Sequence, residues 1–142
     1  MSKTDWQDRR SANREHGAAA VEFALILPIL VLLVFGIVEF AVAYNNQQGL
    51  HAAAREGARI AALPQSDTST IESRVRSALN GVMSPAKINS ASITITPSTS
   101  HPCDGVAPGT HVVVTVSAPD DIDIPFFTKT VTLHGHGEFL CE

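Results

Sequence analysis

Residues 18–43 read AAAVEFALILPILVLLVFGIVEFAVA, and only two of them, Glu22 and Glu39, carry a charge. As a helix this stretch is about 38 Å long, enough to cross the hydrocarbon core of a bilayer. The strictly uncharged run, Phe23–Val38, is shorter than the usual length of about twenty residues, so a spanning helix must accept one glutamate near each end. Pro28 lies inside the run. Its ring leaves the Ala24 carbonyl without a partner and predicts a kink in the transmembrane helix.

Outward from this stretch the character changes on both sides. Residues 1–17, MSKTDWQDRRSANREHG, are polar, mixed in charge and without periodicity, which predicts a disordered cytoplasmic leader. Lys3, Arg9, Arg10 and Arg14 precede the apolar run and no comparable cluster follows it. That asymmetry predicts a single pass with the N-terminus in the cytoplasm and the C-terminus outside. After Tyr44, the segment NNQQGLHAAAREGARIAAL continues the helical pattern, with His51, Arg55 and Arg59 on one face and Leu50, Ala54, Gly57 and Ala61 on another. The small-residue stripe suits either another subunit's backbone or the chain's own sheet. Pro64 ends the helix.

The remaining residues, 65–142, read as a small exported domain. A capping box, Ser69-x-x-Glu72, opens a second helix whose apolar positions are Ile71, Val75, Ala78, Leu79 and Val82, and Asn80-Gly81 with Pro85 closes it. Beyond Pro85 the period becomes two. Ile93 and Ile95 mark one strand, Val112, Val114 and Val116 a second, and Thr130–His134, extendable to Phe139 and Leu140, a third. Ile122, Ile124 and Phe126 read as an irregular apolar connection before the third strand. The expected fold class is α+β, a long N-terminal helix extending over 44–64 into a domain with a second helix and about three mostly antiparallel strands.

At 142 residues there is room for one anchor and one small core, and a net charge of -4 offers no basic surface for nucleic acid. Cys103 and Cys141 are too far apart for a short metal knuckle. In an exported domain they read as one disulfide closing a loop of about 38 residues, for which chain entropy gives about 4 kcal/mol. Two unrelated free thiols are the alternative.

Gly17-Ala18-Ala19-Ala20-Val21-Glu22-Phe23 resembles the leader junction of type IV pilins and pseudopilins. In that family a membrane-embedded aspartyl prepilin peptidase cuts after a glycine, and the fifth residue of the mature chain is a glutamate. The resemblance implies processing between Gly17 and Ala18, with Glu22 at the fifth position. Arg9, Arg10, Arg14, Glu15 and His16, the words GAAAVEFALILPIL and the later AAREGARIAAL resemble the TadE-like family in particular, over roughly residues 9–63. That resemblance implies a minor pilin or pseudopilin of a tight-adherence (Flp, type IVb) pilus. Its partners would be the bilayer, the prepilin peptidase, other minor pilins and the major Flp pilin, a much shorter chain. Glu22 would meet the Ala18 amine of a neighbouring subunit, a cation that offsets the cost of a carboxylate near lipid. Glu39 has no such motif partner and is expected at the outer interface, or against Arg55 of a neighbour.

Catalytic signatures such as GxSxG, P-loop, HExxH and CxxC do not occur, and no cofactor is implied. His134, His136 and Glu138 share one side of a strand, where three groups in a row diverge, so the ordinary reading is a solvated edge face and not a metal site. Asp120, Asp121 and Asp123 lack the glycine and terminal glutamate of a calcium loop and read as a surface turn. Two other functions compete. Ala41-Val42-Ala43 would suit signal-peptidase cleavage of residues 1–43, though the two glutamates make a poor signal peptide. A membrane-anchored ectodomain of enzymatic or other activity has no nucleophile-base signature to support it.

Overall fold

The computed structural model describes the backbone of residues 4–125 and 127–141, with side chains from Gly17 onward. Residues 1–3 of the leader and the reading of Phe126 lie outside the described residues; from Thr4 the leader, expected to be disordered, is assigned to the first helix. Helix α1 spans Thr4–Ala61 with Pro28 inside it, and its assignment passes through that proline without a break. Two compact units divide the chain, Met1–Val38 and Glu39–Glu142. From Gly17 onward the first unit is helical, and the apolar helix is long enough to cross a membrane by length and composition.

The second unit is α+β. It consists of the helical segment from Glu39 to Ala61, α2 (Thr68–Leu79), α3 (Pro85–Ser90), and strands β1 (Ser92–Thr96), β2 (His111–Ile124) and β3 (Phe127–Leu140). The strands form one antiparallel sheet in the order β1-β2-β3. Alternation puts Val112, Val114, Val116 and Ala118 on the inner face, all fully buried, with Ile95 beside them from β1. Leu50, Ala53, Ala54, Ala58 and Ala61 of α1 and Ile71, Val75 and Leu79 of α2 complete the core. The opposite face presents Thr94, Thr96, His134, His136 and Glu138 to solvent.

Several local expectations need correction. The helix α2 is capped by Asp67, not by the Ser69–Glu72 box: Asp67 Oδ1 accepts from the Thr70 amide at 2.9 Å, and its other oxygen accepts from the Ser69 hydroxyl. Asp67 stands in the extended conformation an N-cap needs, and Ser69 is already inside the helix. Hydrogen bonds from the Thr70 side chain, the Thr70 amide and the Ser69 hydroxyl hold the Asp67 carboxyl below its ordinary range. Helix α3, which starts at Pro85, was not expected; a proline at the first turn needs no amide partner there. The stretch Pro119–Ile124 is not a turn or an irregular connection. It is the second half of β2, and each of its residues pairs with β3 from Thr132 to Phe127.

Candidate functional site

The residues of the resemblance motif stand on the first unit. Gly17 lies within the helix, where an added Cβ would meet nothing within 4 Å. This backbone is helical and not the extended one that a peptidase holds, so any cleavage there requires the helix around Gly17 to unwind. Glycine is the residue whose helix costs least to give up. Ala18 and Glu22 are exposed, and their four-residue spacing puts them one above the other on one helical face. Every large apolar side chain from Val21 to Val42 is 39 to 71 % exposed. In water each would forgo about 1.5–3 kcal/mol of burial. Such a surface suits lipid or other apolar helices.

The second unit is built on close approach of helix to sheet. A Cβ at Gly135 would overlap the Leu50 carbonyl and the His51 nitrogen, and one at Gly137 would overlap the Ala54 carbonyl and the Arg55 nitrogen. Glycine at alternate positions of β3 therefore lets the α1 backbone rest directly on the strand. The small-residue stripe Ala53, Ala54, Gly57, Ala58 and Ala61 faces this domain's own core. The His-Gly-His sequence matters here for its glycine. Among the described residues no group of three or more His, Cys, Asp or Glu side chains is placed to hold a metal ion. His111 pairs with Glu138, and His136 Nε2 stands 4.0 Å from the same carboxylate, all on the exposed face.

Two further contacts tie α1 to the sheet. The Gln47 side chain donates to the His134 carbonyl at 2.8 Å, and His51 Nδ1 accepts from the His136 amide at 3.2 Å. Together they cover the outer edge of β3. Asp120, read as part of a surface turn, is only 2 % exposed; it pairs with Lys87 of α3 and accepts from Asn46 at 3.2 and 3.3 Å. A buried carboxylate persists only with such partners. These lie 33 and 74 residues away in sequence, which no local pattern displays. Glu39, for which an outer-interface position or a neighbour's Arg55 was expected, accepts from the Asp123 amide at 3.4 Å.

Cys103 and Cys141 form a disulfide, with Cα atoms 5.5 Å apart. Cys141 also donates its amide to the Thr110 carbonyl at 2.8 Å and accepts from Gly109. The bridge thus fastens the end of β3 to the loop that precedes β2, and Cys141 is buried against the core.

Comparison with known proteins gives one family. The TadE-like protein model matches residues 17–59, so this segment of the chain is TadE-like. The match covers Gly17, Glu22, the apolar run and the helix as far as Arg59. No curated protein and no solved structure matches the chain.

Proposed function

We propose that the chain is a minor pilin or pseudopilin of a tight-adherence (Flp, type IVb) pilus, anchored in the bacterial cytoplasmic membrane with its C-terminal domain outside, and that it acts as a structural subunit and not as an enzyme. The observation that carries this reading is the coincidence of the TadE-like match with an exposed apolar helix bearing Glu22 at its start. A prepilin peptidase cuts after Gly17, which removes the basic leader and turns Ala18 into a free amine. Glu22 then meets that amine on a neighbouring subunit. The pairing lets a carboxylate reside near lipid and sets the axial register of one helix against the next. Other minor pilins and the major pilin are the partners whose helices cover the apolar surface once the subunit leaves the bilayer.

The experiment is intact mass and N-terminal sequencing of the chain made with and without a co-expressed prepilin peptidase. The expected mature chain begins at Ala18 only when the peptidase is present, and Gly17→Leu stays full length. A chain beginning at Tyr44 would instead establish the signal-peptide reading. Glu22→Ala is expected to be inserted and processed normally but to lose association with partner pilins. Recovery of partner at wild-type level in a pulldown would remove the role given to Glu22.

A further inference from the structure

The β2–β3 hairpin ends in an apolar tip. Strand β2 runs along α1 in the opposite direction: the Val114–Gly137 pair lies over Ala54, the Val116–Gly135 pair over Leu50, Asp120 meets Asn46, and the Asp123 amide reaches Glu39. The helix between Glu39 and Asn46 and the strand between Asp120 and Asp123 both measure about 10 Å by their rises. Strand and helix therefore keep pace, and Ile124 with Pro125 carries the chain about 5 Å further before β3 returns through Phe127. Glu39 is the residue that closes the uncharged run Phe23–Val38.

We propose that this tip, formed by Ile122, Ile124, Pro125 and Phe127, dips into the outer-leaflet interface of the membrane and gives the domain a second attachment to lipid beside its helix. The proposal rests on the reading of residues 18–43 as a membrane span with the domain outside. Phe127 is 56 % exposed, and on the helix Phe40 and Tyr44, stacked on each other, are 71 and 57 % exposed. Between helix and hairpin runs a groove of about 310 Å³, lined by Phe40, Ala43, Tyr44, Ile122, Val131 and Leu133, with Gln47 as its polar side chain. Apolar and aromatic groups flanked by a lysine, here the exposed Lys129, are the composition of the membrane-water interface.

The acids of this end do not oppose that placement. Asp120 is paired with Lys87 and Asn46, Asp121 accepts from the Thr130 hydroxyl at 2.6 Å, and Glu39 accepts from the Asp123 amide. The Asp123 side chain, which is exposed, stays at headgroup level. Lipid is favoured over a second copy of the chain as occupant because the patch adjoins, through Glu39, the residue at which the anchor itself leaves the bilayer.

Fluorescence of the full chain in vesicles of phosphatidylethanolamine and phosphatidylglycerol tests this. Trp6, the single native tryptophan, is first replaced in Trp6→Phe. An indole is then introduced by Phe127→Trp, by Phe35→Trp within the apolar run, or by Leu63→Trp just past the far end of the helix. Lipids carry a quencher either near the headgroup or near the chain terminus. The indole of Phe127→Trp is expected to be quenched at least about twofold more by the headgroup-proximal label, as a group some 5–10 Å deep would be. That of Phe35→Trp should respond to the deep label and that of Leu63→Trp to neither. Quenching of the Phe35→Trp chain with none in Phe127→Trp overturns the proposal alone. No quenching in Phe35→Trp overturns the membrane span, and the proposal with it. A blue-shifted but unquenched indole in Phe127→Trp that reverts on dilution of protein in lipid assigns the tip to a second copy and also overturns the proposal.

Discussion

Between Val21 and Val42 the apolar side chains of α1 are exposed throughout, whereas between Leu50 and Ala61 the same helix buries Leu50, Ala53, Ala54, Ala58 and Ala61 completely. The residues differ as their surroundings do. The first stretch uses large aliphatic and aromatic groups, which fit a soft medium of acyl chains or mobile helices. The second uses alanine and glycine, which fit a rigid sheet at close range. Bulk suits a surface whose neighbours adapt, and smallness suits one whose neighbours are fixed backbone. Folding of the domain is thereby separated from insertion of the anchor, and substitutions in the second stretch should unfold the one without expelling the other.

The strongest way to break this separation is Gly135→Val. Its branched side chain would have to displace the Leu50 carbonyl, which is backbone and cannot rotate away. Overpacking a core costs about 1–3 kcal/mol where side chains can yield, and here the cost should exceed that range. The expected outcome is loss of the domain's cooperative melting with the anchor still in the membrane fraction. Gly57→Ala meets side chains and no backbone, a Val75 methyl group first and then one of Val114, and should fall within the range. Equal thermal shifts for the two variants would show that the helix does not rest on β3 as described.

Next in size is the disulfide. The double variant Cys103→Ser, Cys141→Ser should lower stability by about 4 kcal/mol and raise protease sensitivity in the domain alone. Thiol labelling of both cysteines in non-reduced, exported protein would contradict the bridge. Lys87→Met sharpens the picture further, because it leaves the buried Asp120 carboxylate with Asn46 alone. Breaking a fully buried pair costs about 3–5 kcal/mol; with Lys87 29 % exposed, about 2–3 kcal/mol is expected in denaturant melts. Addition of Asp120→Leu should restore part of the loss.

The smallest effect belongs to Asp67, which is solvent-exposed. Its carboxyl is lowered in the folded state, so its contribution is in place above the unfolded value of about 3.9 and is lost as pH falls through the lowered folded one. Thermal melts of Asp67→Ala should lie slightly below wild type at neutral pH and converge with it in acid. Divergence on acidification would contradict the sign.

What could be read from the sequence follows from the range of the interactions. The long apolar helix, the α+β class and the cysteine pair are legible because apolar length, period and cysteine count are local or compositional. The half of β2 from Pro119 to Ile124 was read as a turn and a connection because three aspartates occur within four residues. Only the fold reveals that Asp120 has Lys87 and Asn46 waiting for it. Helix α3 is short, and its one signal was Ser84-Pro85, a cap followed by a first-turn proline. At the junction, Gly17, Ala18 and Glu22 were legible as a word before any contact could be named. The role proposed for this word lies in contacts between chains.

One consequence follows from Gln47 and His51, which hydrogen-bond to the outer margin of β3. A fourteen-residue strand with bare amides and carbonyls is a template for fibrillar aggregation. Gln47 and His51 take two of its outward groups, the His134 carbonyl and the His136 amide, and so hinder the pairing of another strand along that stretch. A chain whose helix had peeled away would expose that stretch of the margin to pairing with another strand.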